Sequence, residues 1–304
     1  MKQETFTLVS NADGLTLHGL LVAPDENAKG VIQILHGMCE YKERYQDFMD
    51  FFASHGFIVV CHDQRGHGDS VREECDLGYF YDAKAQAIVQ DAAQVTEWIK
   101  NRYPDLPITL FGHSMGSMVA RCYLQEHDTL VDKAIICGSP AKNPMTDIAI
   151  GLTKAIALFR GKRHRCKTLS YLSTGRGNHQ FPSEGKGAWL SKNRENISAF
   201  YSNPKGSKRF TCNGYENLFR LMKNTYSSKL YKVQNPSLPI HFVSGSEDPV
   251  LGGAKNFDKA IDFMKKVGYE QVSGKLYQGL RHEIHNEIEN EEVLADLLAQ
   301  MQAK

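Results

Sequence analysis

The stretch that decides the fold is Ile108-Thr109-Leu110-Phe111-Gly112-His113-Ser114-Met115-Gly116-Ser117, or ITLFGHSMGS. Its first four residues are typical of a buried strand, and the residues from Met115 onward have the apolar spacing of a helix. Between them lies G-x-S-x-G, a pattern that places a serine on a sharp strand-to-helix turn. Its glycines allow the backbone to turn without a Cβ clash. We therefore predict that Ser114 is displayed as a nucleophile, the simpler alternative being a serine that only caps the helix.

The composition is that of an ordinary globular protein. Of 304 residues, 41% are hydrophobic, and 36 basic against 35 acidic residues leave a formal charge of +1, so no global field draws the chain to nucleic acid. The seven cysteines are odd in number and never spaced as C-x-x-C, which argues against a disulfide framework and a zinc site. No apolar run approaches the roughly 18 residues of a membrane span or forms a signal segment. We expect a cytoplasmic protein with no metal, cofactor or nucleic-acid partner.

Strand-like and helix-like runs alternate along most of the chain. This alternation predicts an α/β fold with a mostly parallel sheet and helices on both faces. The first two runs are joined by Asn11-Ala12-Asp13-Gly14, which predicts an antiparallel hairpin at the sheet edge. The predicted strands are Thr5–Ser10, Leu15–Ala23, Val31–Leu35, Phe57–Cys61, Ile108–Phe111, Ala134–Cys137, Ile240–Ser244 and Gly274–Tyr277. The predicted helices are Tyr41–His55, Ala83–Arg102, Met115–Glu126, Ala254–Val267 and Asn290–Gln302.

The alternation breaks between residues 141 and 235, where no strand run is convincing. A stretch of roughly 95 residues is too long for a structureless loop in a compact domain. We therefore predict a helical cap at 141–235, inserted into a core formed by 1–140 and 236–304. Its most apolar helix, Ile148–Phe159, precedes the basic run Arg160–Lys167, which is either a solvated helix end or a surface for anionic lipid headgroups. The apolar spacing fits either cap core or an acyl-pocket lining, at Ile148, Leu152, Ile156 and Phe159.

A nucleophilic serine needs a base, and the base needs an orienting acid. The strand, G-x-S-x-G turn and helix resemble those of α/β-hydrolases, in which the acid follows a late strand and the histidine follows the last one. Here Ile240–Ser244 is followed by Glu247-Asp248-Pro249, and Gly274–Tyr277 is followed by His282. We favour Asp248 over Glu247 because Pro249 biases its predecessor toward an extended conformation.

The segment RHEIHNE at 281–287 contains two histidines, and we predict His282 as the base because it comes first after the last strand. His285 is expected to serve in packing or support. A zinc helix uses H-E-x-x-H, whereas H-E-I-H is one residue short.

The developing oxyanion needs donors as well. We expect the backbone N–H groups of Met115, directly after the serine, and of Met38, in the loop Leu35-His36-Gly37-Met38 after the third strand. His36 is expected to anchor that loop. We read the loop 62–70, which contains His67 and Asp69, as a structural turn.

Three segments together resemble the monoglyceride lipase and lysophospholipase group of α/β-hydrolases, also described as serine aminopeptidase-like: HGMCEYKERY at 36–45, HDQRGHGDS at 62–70 and GHSMGS at 112–117. SGSEDPV at 244–250 and RHEIHNE at 281–287 are similar to that group's acid and histidine segments. The resemblance implies an α/β-hydrolase fold with a mostly parallel eight-stranded sheet, and a cap at 141–235 that covers an acyl pocket and looks closest to bacterial members. It implies a catalytic set of Ser114, Asp248 and His282 with oxyanion donors Met38 and Met115.

These observations predict a serine hydrolase that cleaves carboxylic esters of single-acyl lipophilic substrates through an acyl-enzyme. Monoacylglycerol, lysophospholipid and short-chain esters are the candidate substrates, and we expect the cap to touch a membrane surface transiently. One alternative is an aminopeptidase-type peptidase, which needs an acid for the substrate's amine, with Glu184, Glu195 and Glu216 available. The other is a non-catalytic α/β-hydrolase that binds a ligand.

Overall fold

The computed structural model describes residues 1–81, 84–175 and 177–303. Eight strands form one sheet in the order β1-β2-β4-β3-β5-β6-β7-β8. All eight predicted strands are confirmed, with ends shifted by up to three residues. Their bounds are β1 Lys2–Val9, β2 Thr16–Ala23, β3 Gly30–Leu35, β4 Phe57–His62, β5 Ile108–His113, β6 Lys133–Cys137, β7 Ile240–Gly245 and β8 Val272–Tyr277.

The sheet is parallel from β4 across to β8. β1 and β2 form an antiparallel hairpin at one edge, as predicted, and β2 joins β4 antiparallel. The turn closes through a hydrogen bond from the Gly14 N–H to the Ser10 carbonyl (2.9 Å), with Gly14 at φ +73°. Because parallel strands end at the same edge, the loops after β3, β5, β7 and β8 meet there, and these loops contain the predicted site residues.

Helices cover both faces of the sheet. On one face α2, α3 and α8 enclose a core that includes Ile88, Val119 and Phe257, and on the other α1 and α9 enclose a core that includes Phe52 and Leu297. The helices outside the insertion are α1 Gln46–Ser54, α2 Ala87–Arg102, α3 Met115–His127, α8 Ala254–Val267 and α9 Glu291–Gln302, and those within it are α4 Thr146–Arg160, α5 Lys167–Ser170, α6 Arg194–Ser202 and α7 Cys212–Thr225.

Two helix predictions differ from the structure at their N-terminal ends. The segment predicted as a helix from Tyr41 begins with a 3₁₀ turn at Lys42–Tyr45, where the Lys42 N–H bonds to the Asp63 carboxylate (2.7 Å) before α1 starts. The next predicted helix begins at Ala87 in the structure, and Ala83, where we placed its start, lies outside the described residues.

Between β6 and β7 the described residues form helices and loops and no strand. Helix α4 packs along α7, and α7 packs on α3 beneath the sheet's carboxyl edge. We expected the apolar side of α4 to be cap core or pocket lining, and this is wrong at three positions. Ile148, Leu152 and Phe159 are 62%, 39% and 83% exposed. The face of α4 that contacts its neighbours contains Ile150 and Thr153, so the apolar stripe is left toward solvent. Within the described part of the chain, no helix combines the length and apolarity needed to cross a membrane.

Candidate active site

Ser114 lies on a strained turn between β5 and α3. Its backbone has φ 54° and ψ −116°, a region that costs a non-glycine residue about 1–3 kcal/mol. The neighbouring residues must be glycines because a Cβ at either position would clash with nearby backbone. A Cβ on Gly116 would lie 1.9 Å from the Leu35 carbonyl oxygen, and one on Gly112 would lie 2.5 Å from the Gly116 carbonyl oxygen. The G-x-S-x-G pattern is therefore explained by close backbone packing around an exposed hydroxyl.

The structure brings Ser114, His282 and Asp248 together in one chain of hydrogen bonds. Ser114 Oγ lies 2.8 Å from His282 Nε2, and His282 Nδ1 lies 2.8 Å from Asp248 Oδ2. His282 and Asp248 are buried, whereas Ser114 is only partly so. This arrangement can transfer the serine proton to the imidazole while the carboxylate holds the ring.

Asp248, rather than Glu247, contacts the histidine. The Ser244 hydroxyl donates to Asp248 Oδ2 (3.0 Å) and the Val250 N–H donates to its Oδ1 (2.9 Å), which fix the carboxylate after β7. The side chain of Glu247 is 42% exposed and turns toward Arg281. The sequence preference for Asp248 thus agrees with the geometry.

The electrostatics of His282 favour a strong base. Burial lowers its pKa, but the charge of Asp248 and the hydrogen bond to it outweigh burial, so the pKa of His282 is raised above the ordinary 6.5. A histidine with a raised pKa accepts the serine proton more readily and stabilises the imidazolium that results.

The loop after β3 lies directly against the nucleophile. A Cβ on Gly37 would approach Ser114 Cβ to 3.2 Å, and Met38 and Met115 border the same cavity as Ser114. Neither the Met38 nor the Met115 N–H donates a hydrogen bond to another of the described residues. Both groups are available to an oxygen bound beside Ser114. Cys39 is no rival nucleophile, because burial raises the pKa of its thiol to about 12.

His36 anchors this loop, as predicted. Its Nε2 accepts from the Gln64 N–H (2.9 Å) and its Nδ1 lies 2.8 Å from the Gly37 carbonyl. The ring of His67 packs edge-on against that of His36, and Asp69 pairs with Lys42 at 2.6 Å. The loop 62–70 is therefore structural and lies behind the site.

A buried ion network that sequence reasoning missed joins the two sides of the site. Glu40 accepts from the Gly37 N–H (2.5 Å) and pairs with Arg44 (3.2 Å), and Arg44 pairs with Glu283 at 2.6 Å. Burial raises the pKa of Glu40, but His113 and Arg44 outweigh it and hold that pKa well below the ordinary value. The network connects the Gly37 loop to the residue that follows His282. Its sequence signal, an acid and a base four residues apart in EYKER at 40–44, is too common to be diagnostic.

Behind the nucleophile, His285 serves in packing. Its ring stacks on Tyr45 with centroids 5.3 Å apart, and neither of its nitrogens has a partner among the described residues. The possible ligand atoms of His113, Cys137 and His285 lie within 4.8 Å of one another, a spacing that is compatible with a metal site. His113, however, uses one nitrogen near Glu40 (3.3 Å) and the other near the His282 carbonyl (3.2 Å). We assign this cluster to support of the turn around Ser114.

A cavity of about 410 Å³ opens beside Ser114, within the usual range for small-molecule sites. Trp189, from the insertion, packs on the His282 ring at 5.1 Å. The lining of the cavity includes apolar side chains of α3 and α7, at Met118, Leu218, Phe219 and Met222. It also includes polar and cationic residues of the insertion, at Lys186, Tyr201, Lys208 and Arg209.

The acids that a peptidase would need lie elsewhere. Glu184 pairs with Arg281 (2.7 Å) and Glu216 with Arg220 (2.8 Å). Neither of them, nor Glu195, borders the cavity. The described carboxylates that do border it, Glu40 and Glu283, are both bound to Arg44.

The fold and the Ser114–His282–Asp248 geometry define a serine hydrolase of the α/β-hydrolase class. The family model described as serine aminopeptidase, S33, matches residues 26–289, and the chain belongs to that family. It is 25% identical over 286 residues to a monoglyceride lipase of Mus musculus, covering 91% of this chain and 83% of that protein. It is 27% identical over 271 residues to a phospholipase of Bacillus subtilis, covering 86% and 91%.

Among solved structures, a carboxyl esterase from Bacillus coagulans in complex with glycerol superimposes with a TM-score of 0.87 at 24% identity, covering 99% of this chain and 98% of that one. This likeness confirms the fold. Together with the lipase and phospholipase relatives, the family match confirms the predicted reaction class, an ester hydrolase.

Proposed function

We propose that Ser114 is the nucleophile, His282 the base and Asp248 the acid that orients it. The observation that carries this proposal is the continuous hydrogen-bond chain, 2.8 Å at each of its two links to His282. Ser114 Oγ attacks the ester carbonyl while His282 takes its proton, then returns it to the leaving alcohol. A water molecule, deprotonated by the same histidine, releases the acid and restores the serine.

The Met38 and Met115 N–H groups stabilise the oxyanion of each tetrahedral intermediate. Their free donors and the approach of Gly37 to Ser114 support this assignment. Residues 141–235 act as a cap over the site, because α7 and Trp189 both border the cavity from that segment. The acyl chain packs against the apolar lining residues of α3 and α7.

The proposed substrates are single-acyl lipophilic esters: monoacylglycerol, lysophospholipid or short-chain ester. The apolar lining residues of α3 and α7 suit an acyl chain, and monoglyceride lipase and phospholipase relatives support this class. A peptidase activity is disfavoured because none of the candidate acids borders the cavity. A purely ligand-binding role is disfavoured by the complete serine, histidine and acid set.

The test is hydrolysis of p-nitrophenyl esters graded by chain length, beside monoacylglycerol and lysophosphatidylcholine, with aminoacyl-p-nitroanilides as the peptidase arm. We expect ester turnover, labelling of Ser114 by a fluorophosphonate, and a loss of roughly 10⁴-fold or more in kcat in Ser114→Ala. Ser117→Ala is the matched control, since among the described residues that hydroxyl bonds to the Ser114 carbonyl (2.6 Å) and to no other group. Activity on the anilides alone, or an unlabelled wild type, would overturn the proposal.

The insertion also contacts a membrane surface transiently in this proposal. Helix α4 presents Ile148, Leu152 and Phe159 to solvent, and the basic run Arg160–Lys167 follows directly. Exposed apolar side chains next to basic residues are typical of helices that lie in the membrane interface. We expect Ile148→Gln/Phe159→Gln to reduce co-sedimentation with phosphatidylglycerol vesicles. The control Val9→Gln/Ile288→Gln removes equally exposed apolar groups outside the insertion and should sediment like wild type.

A further inference from the structure

The chain is nearly neutral overall, but its basic and acidic residues are concentrated in different segments. Residues 141–235 contain 18 of the 36 Lys and Arg residues but only 4 of the 35 Asp and Glu residues. This segment therefore carries a formal charge of +14, and the remainder of the chain carries −13. The insertion that borders the active-site cavity is strongly cationic, and a cleft lined by one sign of charge concentrates ligands of the opposite sign.

Three of these cations border the cavity: Lys186, Lys208 and Arg209. No described carboxylate comes within 4.0 Å of any of their charged groups, although most other basic residues near the site have such partners. The Lys186 ammonium lies 3.9 Å from the centre of the Tyr201 ring, and all three cations are exposed. Their charges are left for a ligand or for water.

The segment that contains Lys208 adjoins the loop that holds the predicted oxyanion donor Met38. The Cys39 thiol donates to the Lys208 carbonyl (2.9 Å), and the Ser207 N–H donates to the Cys39 carbonyl (3.3 Å). Apolar lining comes from α3 and α7, and Met118 on α3 lies one helical turn from Ser114. The lining of the cavity thus offers apolar side chains to the acyl chain of an ester bound at Ser114, and cations to its alcohol.

We infer that the enzyme hydrolyses single-acyl esters whose leaving alcohol carries a phosphate, the chemistry of anionic lysophospholipids. The inference rests on the proposed function and narrows its substrate class. Water adds across the ester, the fatty acid is released, and the alcohol leaves with its phosphate intact. The planar guanidinium of Arg209 suits two phosphate oxygens at once, and the two lysines add point charges.

The test compares two substrates that share a chain and differ in the alcohol: 1-octanoyl-glycerol and 1-octanoyl-glycerol 3-phosphate, each kept monomeric. Monomers separate headgroup recognition from attraction to an anionic surface. We expect kcat/KM, normalised to fluorophosphonate-labelled enzyme, to favour the phosphate ester, and the preference to weaken with NaCl because exposed charges are screened. In Lys186→Gln/Lys208→Gln/Arg209→Gln the ratio of the two kcat/KM values should fall roughly tenfold.

The control is Lys142→Gln/Lys167→Gln/Lys229→Gln, which removes the same charge from exposed positions of the insertion that do not border the cavity. Its ratio should match wild type. An equal fall in this control, or a wild-type ratio near one, overturns the inference while ester hydrolysis stands. Failure of wild type to hydrolyse either ester overturns the inference together with the proposed function.

Discussion

The guanidinium of Arg44 lies 2.6 Å from the carboxylate of Glu283, the residue directly after His282. Arg44 also binds Glu40, whose carboxylate holds the Gly37 N–H. One buried cation therefore fixes both the loop that contains Gly37 and the loop that contains His282. Asn196 of the insertion donates to Glu283 as well (2.7 Å), so the same centre reaches the cap.

Replacing Arg44 with Met should destabilise the protein strongly. The change leaves two buried carboxylates without their cation, a defect that costs about 3–5 kcal/mol. Urea denaturation measures it as a fall in the free energy of unfolding. The exposed pair Arg102–Glu4 (2.7 Å) provides the control, and Arg102→Met should cost less than about 1 kcal/mol. Equal costs at the two sites would contradict the role of burial.

Substitution of the two histidines of RHEIHNE should have clearly different effects on kcat. His282→Ala removes the base and should lower kcat by roughly 10⁴-fold or more. His285→Ala removes a ring that stacks on Tyr45 without touching Ser114, so it should retain most of the activity at reduced stability. The measurement is kcat on a p-nitrophenyl ester, with the folded state of each variant checked by thermal unfolding. The reverse pattern would move the base to His285.

The pH dependence of kcat/KM should report His282. The imidazole must be neutral to accept the serine proton, so activity rises with pH through a pKa above 6.5. Asp248→Asn removes the negative charge that raises this pKa. We expect the midpoint of the profile to shift to lower pH in that variant, alongside a large loss in kcat. An unchanged midpoint would show that another group controls the profile.

Mild acid should destabilise the fold. Burial, with a smaller effect of nearby His36, lowers the pKa of His62 and of His67 to about 3. Unfolded histidine titrates near 6.5, so the stabilisation is complete above that pH and is lost as the pH falls from 6.5 toward 3. Each such histidine contributes a slope of about 1.4 kcal/mol per pH unit in that window.

Urea unfolding at pH 7, 6 and 5 measures this slope. His62→Leu removes one buried titrating group and should reduce the slope of unfolding free energy against pH by about 1.4 kcal/mol per pH unit. The exposed His179→Leu serves as the comparison and should leave the slope nearer to that of wild type. A slope unaffected by His62→Leu would mean that His62 is not the source of the acid sensitivity.

The sequence predicted most of the α/β core because its signals are local. The strands are mostly apolar runs, and the proximity of Ser114, Asp248 and His282 follows from the single edge at which parallel strands end. The Arg44 network was not predictable, because residues 40, 44 and 283 meet only once β3 and β8 are placed in one sheet. Periodicity identified the apolar stripe of α4 but not its orientation, since either side of a helix can face its neighbours.

The charge separation is a different case, because it could have been found without the structure. A whole-chain sum of +1 gives no hint of it, whereas counting over residues 141–235 alone gives +14. The predicted boundaries of the insertion were sufficient for that count. What needed the structure was the location of Lys186, Lys208 and Arg209 at the cavity.

The packing of Trp189 on His282 also gives the site an optical reporter. The chain has two tryptophans, and the other, Trp98, stacks on Phe6 of β1 with centroids 4.2 Å apart, on the far side of the sheet order from β8. Indole emission depends on the charge and polarity around the ring. In a Trp98→Phe background, steady-state fluorescence would therefore follow the protonation of the base and the entry of a ligand, without any label attached to the enzyme.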